Sequence, residues 1–61
     1  MTKKVYYIEN TSALDNALAR IEASFPCFID REYIVMNYSQ ISINARTEDI
    51  NSIQSILAPL V

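Results

Sequence analysis

The sequence contains no glycine and no histidine, and it has a single cysteine, Cys27. Without glycine, the backbone cannot approach a phosphate as closely as Walker and Rossmann loops do. One cysteine and no histidine exclude an internal disulfide and, in practice, a structural zinc. We therefore expect no metal and no cofactor. A chain of 61 residues has a small core, so close packing or oligomerisation must provide its stability.

Charge is also scarce. Five Lys or Arg residues against seven Asp or Glu give a net charge of −2, with no basic stripe that would neutralise phosphates, so a nucleic-acid partner is disfavoured. No apolar run exceeds four residues, as in Tyr33–Met36, whereas a bilayer span needs roughly 20. No secretory signal is recognisable. With 51% hydrophobic residues, the chain is expected to form one small globular domain, residues 1–61, in the cytoplasm.

The stretch Gln40–Leu60 holds the clearest periodicities. Ile41, Ile43 and Ala45 alternate with polar residues, which is typical of a strand with one apolar face. Beyond Thr47 the period changes, because apolar residues recur every three or four positions, as on one side of a helix. These positions are Ile50, Ile53, Leu57 and Leu60, with Ile56 at the margin. We expect Thr47 to cap this helix, followed by the acidic Glu48 and Asp49.

The N-terminal part predicts a strand and a helix. Lys4–Ile8 is rich in β-branched and aromatic residues and is apolar on both faces, with Val5 and Tyr7 on one and Tyr6 and Ile8 on the other. Thr11 or Ser12 is expected to cap the helix, which ends near Ser24 because Pro26 follows. Its apolar side is formed by Leu14, Ala17, Leu18, Ile21 and Phe25.

The second strand has two possible starts, one near Phe28 and one at Glu32. We prefer Glu32, with Pro26–Arg31 as a connecting loop, because Tyr33–Asn37 is dense in residues that favour strands. Asn37–Ser39 then forms the turn before the strand at Gln40. Since glycine is absent, a longer type I loop is expected rather than a two-residue type I′ turn.

The element order is therefore β-α-β-β-α. The simplest packing is a three-stranded antiparallel sheet, order 1-3-2, with both helices on one face. This α+β fold corresponds to a ferredoxin-like split β-α-β unit that lacks its fourth strand. The first strand then has an open edge, which native proteins normally cover.

Three groups of residues are candidate functional sites. Cys27, with no Lys or His beside it, is expected to be a small buried hydrophobe rather than a nucleophile. Asp30 and Glu32 would point to the same side of a strand, but short loops form no cleft for acid/base catalysis, so a solvated edge or a surface ion pair is the simpler interpretation. Tyrosine is enriched at protein interfaces, and Tyr6, Ile8, Tyr33 and Tyr38 are the candidate interface residues.

The leading hypothesis is a small non-enzymatic protein-interaction module, acting as a homodimer or as an adaptor or inhibitor that docks on a larger protein. If Val5 and Tyr7 face the helices, Tyr6 and Ile8 form the exposed surface beside the open edge. The alternative is a nucleic-acid-associated regulator that stacks bases on the open sheet face. A small enzyme with a site shared across an oligomer interface is a third possibility.

Overall fold

Three strands form one antiparallel sheet in the order β1-β3-β2, which confirms the predicted α+β fold and its β-α-β-β-α topology. The computed structural model describes residues 1–61. The strands are β1 (Thr2–Glu9), β2 (Cys27–Tyr33) and β3 (Tyr38–Ala45), and the α-helices are α1 (Ser12–Ser24) and α2 (Ile50–Leu57). Single 3₁₀ turns precede and follow α2 at Thr47–Asp49 and Ala58–Leu60. Neither helix has the length and apolarity that a membrane span requires.

The core lies between one face of the sheet and the two helices. The predicted alternation in β3 is confirmed, because Ile41, Ile43 and Ala45 are fully buried. The apolar stripes of the helices pack against them as a single cluster. The helix residues of this cluster are Leu14, Leu18, Ile21, Ile50, Ile53 and Leu57. Only one sheet face is covered, so the alternate residues of all three strands form an open face.

The predicted facing of β1 is wrong. Ile8 lies in the core with 1% exposure, and Tyr6 packs against the core, whereas Val5 and Tyr7 are 44% and 58% exposed on the open face. The register explains this facing, because Tyr6 pairs with the inward-facing Ile41. Alternate residues of a strand share one face, so Ile8 must also point inward. Both faces of the strand are apolar, so its composition alone did not distinguish them.

The preferred start of the second strand is also wrong, and the earlier start is correct. β2 begins at Cys27 and pairs with β3 from Cys27↔Ala45 to Tyr33↔Ser39. The strand-forming run that favoured Glu32 lies instead at the strand end and in the turn. That turn closes with a hydrogen bond from Tyr38 N to Val35 O at 3.1 Å. Met36 within it has φ 52°, so a non-glycine residue occupies the left-handed region.

The two helix starts differ from each other. Thr11 caps α1, since its Oγ1 accepts a hydrogen bond from Leu14 N at 3.2 Å, as one of the two predicted caps. The predicted cap at Thr47 is wrong. Thr47 lies inside the 3₁₀ turn, no side chain caps α2, and the α-helix itself begins at Ile50. The Thr47 hydroxyl instead bonds the Thr2 hydroxyl at 2.6 Å.

Candidate interaction surfaces

The open face of the sheet carries exposed apolar and aromatic side chains. Phe28 of β2 is 75% exposed, Tyr7 of β1 is 58% exposed and Tyr38 of β3 is 46% exposed. Val5 lies beside Tyr7 in the same outward row of β1. These side chains are spread over the three strands, because outward positions alternate with the buried ones. The face therefore has apolar area without a covering layer.

The charges on this face are mainly negative. Glu9, Asp30 and Glu32 share the outward rows with one cation, Lys3. None of the four belongs to an ion pair, since the chain forms only two, Arg31–Asp15 and Arg46–Asp49. Exposed aromatics on an open sheet are typical of RNA-recognition modules, but phosphates require cations beside them. The excess of carboxylates disfavours the nucleic-acid alternative.

The edge of the sheet at β1 is unpaired along its length. β1 bonds only to β3, in a register that runs from Thr2↔Ala45 to Glu9↔Tyr38. In an eight-residue strand, every second residue directs its N–H and C=O away from the partner strand. The outward row of side chains along this edge has Lys3 at one end and Glu9 at the other, with Val5 and Tyr7 between them. A basic end, an apolar centre and an acidic end follow one another.

The edge at β2 is also unpaired, but side-chain hydrogen bonds tie it to α1 and to the first loop. Arg31 Nη1 donates to Asp15 Oδ1 at 2.7 Å, and Arg31 Nη2 donates to Asn10 Oδ1 at 3.0 Å. Asn10 Oδ1 also accepts a short hydrogen bond from the buried Ser39 hydroxyl. The Arg31 guanidinium further lies 5.1 Å from the centre of the Tyr33 ring. This network lets an arginine occupy the inward row of β2.

A groove of about 620 Å³ separates α1 from the β2 edge. Leu18, Ala19 and Ile29 form part of its apolar lining, while Asp15 and Glu22 place carboxylates along its helix side. The groove is open because α1 presents the small Ala19 and Ala23 where larger side chains would reach β2. It is therefore a shallow channel along the edge of a strand, without the enclosure that a small-molecule pocket needs.

The tip of the β2–β3 hairpin is apolar and exposed. Ile34, Val35 and Met36 are 44%, 67% and 100% exposed. Two hydrogen bonds join the base of the tip to the loop after β1. Asn37 O accepts a hydrogen bond from Asn10 N at 2.6 Å, and Asn37 Nδ2 donates to Asn10 O at 3.1 Å. Residue type predicts strand over Tyr33–Asn37, so the exposure of the tip could not be recognised from residue type alone.

The structure does not bring the predicted interface residues together. Ile8 is buried, so it cannot line an interface on the open face. Tyr6 is half-buried on the helix side of the sheet, its hydroxyl oxygen has no partner, and burial raises the pKa of that hydroxyl. Tyr33 and Tyr38 are exposed, at 69% and 46%, on opposite faces of adjoining strands. Their interface role stays a prediction. Sequence reasoning missed Tyr7 and Phe28.

The polar candidate sites are simple in geometry. Cys27 is half-buried at the start of β2, and burial, with smaller contributions from Glu22 and Asp49, raises the pKa of its thiol. A raised pKa lowers the thiolate fraction and hence nucleophilicity. Asp30 and Glu32 lie on the same side of β2, exposed on the open face. No group of three or more acidic or cysteine side chains converges as metal ligands would.

Comparison with protein-family models, with curated proteins and with solved structures finds no match. The surfaces described above are therefore the basis for assigning a function.

Proposed function

We propose that this protein is a small non-enzymatic protein-interaction module that acts as a homodimer, with the β1 edges of two copies paired antiparallel about a twofold axis. The observation that carries the proposal is the unpaired β1 edge, whose outward row runs from Lys3 through Val5 and Tyr7 to Glu9. In an antiparallel pair, the basic end of this row lies opposite the acidic end of the same row in the second copy. Two copies would form one continuous six-stranded sheet.

Symmetry fixes which residues can meet. A twofold axis perpendicular to the sheet keeps each side chain on its own face. Outward-row residues of one copy can therefore lie opposite only outward-row residues of the second copy. When Tyr6 lies on the axis, Lys3 of one copy is opposite Glu9 of the second copy, and Val5 is opposite Tyr7. Each of these pairs occurs twice. Opposite charges and an apolar pair are favourable cross-strand neighbours.

Neighbouring registers lack this match. With Val5 on the axis, Lys3 is opposite Tyr7 and Glu9 is opposite Met1. With Tyr7 on the axis, Glu9 is opposite Val5. Neither pairs the two charged ends, so the register centred on Tyr6 is selected among the three. Backbone hydrogen bonds give affinity in such strand additions, while side-chain pairs determine register and specificity.

Solvent exposure of the edge supports a partner of this kind. An open edge flanked by exposed Val5 and Tyr7 is an aggregation hazard that proteins normally cover. A closed dimer covers both edges at once and cannot extend into a fibre through them. A stable interface buries about 1,000 Å² or more in total. The adaptor or inhibitor role would use the same β1 edge to add a strand to a larger protein.

The non-enzymatic assignment and the cytoplasmic location belong to this proposal. The two exposed acids, Asp30 and Glu32, lie on an open face without a cleft, and Cys27 has a raised pKa. These are poor starting points for acid/base or nucleophilic chemistry. A single half-buried cysteine without a disulfide is compatible with a reducing compartment.

Charge reversal tests the register in solution. Lys3→Glu and Glu9→Lys each place like charges opposite one another twice, so each is expected to raise the dimer Kd by about 10-fold. The double variant Lys3→Glu/Glu9→Lys restores opposite charges and is expected to recover the original Kd. Sedimentation equilibrium from micromolar to millimolar concentration measures all four proteins. A wild-type chain that stays monomeric at millimolar concentration, or a double variant no better than the singles, would overturn the proposal.

A further inference from the structure

The β2 edge differs from β1 in having a groove beside it and carboxylates on both of its sides. Glu22 lies on the groove side, and Asp30 and Glu32 lie on the open face. None of the three is in an ion pair. The one cation in the groove lining, Arg31, is already bound to Asp15 and Asn10. The unpaired backbone of β2 is thus flanked by uncompensated negative charge.

We propose that this edge and groove bind an extended basic segment of a heterologous protein, which adds to β2 as a strand and places alternate side chains into the groove. This site goes beyond the β1 dimer and does not depend on it. Strand addition satisfies the outward N–H and C=O groups of β2, and the flanking pockets and charges select the side chains. Charge complementarity therefore defines the partner as rich in Lys or Arg.

The dimensions of the groove fit a short strand. Its helix side runs from Asp15 to Ala23, and the eight steps between these residues cover about 12 Å at 1.5 Å per residue. About four residues of extended chain span that length. The small Ala19 and Ala23 leave room for side chains above Ile29. An aliphatic side chain is expected at that point, where the lining is apolar.

The position of each carboxylate predicts the pattern of the ligand. In an antiparallel addition, residues opposite Asp30 and Glu32 project on the open face, so lysines two positions apart would meet both acids. The residue opposite Ile29 enters the groove, and the one opposite Cys27 approaches Glu22, whose charge already raises the pKa of the Cys27 thiol. The expected pattern is Lys-x-Lys-aliphatic-x-Lys.

A second copy of this chain is disfavoured as the occupant in the two registers centred on the charged part of β2. Symmetric pairing of β2 edges centred on Asp30 or on Arg31 would place like charges opposite one another, which is destabilising. Pairing of β1 with β2 of another copy is a head-to-tail contact, and such contacts extend without closing unless they form a ring. A heterologous segment has neither consequence.

The test uses the full chain and a fluorescein-labelled peptide, Lys-Thr-Lys-Val-Thr-Lys, titrated in fluorescence anisotropy. Glu22→Lys replaces the groove carboxylate that is not in an ion pair with a cation, and Ala19→Tyr fills the groove from an exposed helix position. Each is expected to weaken peptide binding by about tenfold. Glu48→Lys makes the same charge change elsewhere, and Ala13→Tyr adds the same bulk at another exposed position of α1. Both controls are expected to stay within about twofold of the wild type.

Several results would overturn the proposal. They are no binding at millimolar peptide, equal binding of the acidic peptide Glu-Thr-Glu-Val-Thr-Glu, equal weakening by Glu48→Lys and Glu22→Lys, or no effect of Ala19→Tyr. Amide chemical shifts that move along β1 rather than along β2 and α1 would also contradict it. Sedimentation equilibrium of the same samples measures the Kd of the β1 dimer separately. Glu22→Lys and Ala19→Tyr are expected to leave that Kd unchanged.

Discussion

The two edges of this small sheet are both unpaired, yet they are built differently. β2 is joined to the helix layer by the hydrogen bonds of Arg31 and Asn10 and is flanked by carboxylates. At β1 the only comparable side-chain hydrogen bond is the exposed one between Thr2 and Thr47. Inward charges and like-charged neighbours are common means of protecting an edge against its own copy. The β1 edge has one inward-row charge, Lys4, and no like-charged pair in the register centred on Tyr6.

The difference shows that an open edge is not by itself an interface. The outward row of β1 is complementary to the same row of a second copy that runs antiparallel, so we propose a second copy as its partner. On β2, pairing centred on Asp30 or Arg31 would place like charges opposite one another, so we propose a basic strand as the partner of that edge. One sheet can in this way present a self-associating edge and a heterologous edge.

The largest effect should come from the core that supports both edges. Leu57 is fully buried in α2, so Leu57→Ala is expected to lower the free energy of unfolding by about 2–5 kcal/mol. A chain of this length has only about 3–9 kcal/mol in total, so both edges should be lost together. Urea denaturation measures the change, with the exposed Gln54→Ala as control. An unchanged midpoint for Leu57→Ala would mean that α2 does not pack as described.

Asn10→Ala, on the β2 side, is expected to lower the free energy of unfolding by less than Leu57→Ala does. The substitution removes the acceptor shared by Arg31 and Ser39 and leaves the buried Ser39 hydroxyl without a partner. Such a loss costs about 1–3 kcal/mol. Asn16→Ala, at an exposed position of α1, is the matched control in the same denaturation series. If the two variants unfold alike, the network does not anchor β2.

The cap of α1 gives the next effect. Thr11→Ala is expected to destabilise the protein by about 0.5–2 kcal/mol, because the Leu14 N–H loses its acceptor. Thr11→Ser keeps the hydroxyl and should be nearly neutral. Thermal unfolding by circular dichroism distinguishes the two. A Ser variant as unstable as the Ala variant would show that the methyl group of Thr11, and not its hydroxyl, matters.

The smallest change in stability is expected from Thr47→Ala, on the β1 side. Thr47→Ala removes the exposed hydrogen bond to Thr2 and caps no helix, so its effect should stay within about 0.5 kcal/mol. The comparison with Thr11→Ala in the same thermal series separates a capping threonine from a non-capping one. A loss for Thr47→Ala equal to that of Thr11→Ala would restore Thr47 as the helix cap.

Most of the fold could be predicted because its periodicities are local. The alternation through Ile41 and Ile43 and the stripe through Ile53 and Leu57 reflect burial on one side, and burial is confirmed at each of these positions. The end of α1 before Pro26 follows from backbone chemistry alone. Together these elements are sufficient to predict the strand order and the single helix-covered face.

The features that could not be predicted depend on distant residues. Arg31 faces inward because Asp15 and Asn10 receive its guanidinium, and neither is near it in sequence. The Thr47 hydroxyl is occupied by Thr2, at the other end of the chain. The inward side of β1 was undetermined because Tyr6 and Ile8 resemble Val5 and Tyr7 in apolarity. The predicted interface residues Tyr6 and Ile8 lie on the covered face, and Val5 and Tyr7 lie on the open one.

Amide hydrogen exchange measured at increasing protein concentration tests the contrast between the edges most directly. We predict that the outward-pointing amides of β1, at every second residue from Thr2 to Glu9, become protected as the dimer forms. The outward amides of β2, from Cys27 to Tyr33, should exchange at a rate independent of concentration until a basic peptide is added. Concentration-dependent protection of β2 in place of β1, or of neither edge up to millimolar concentration, would contradict the account.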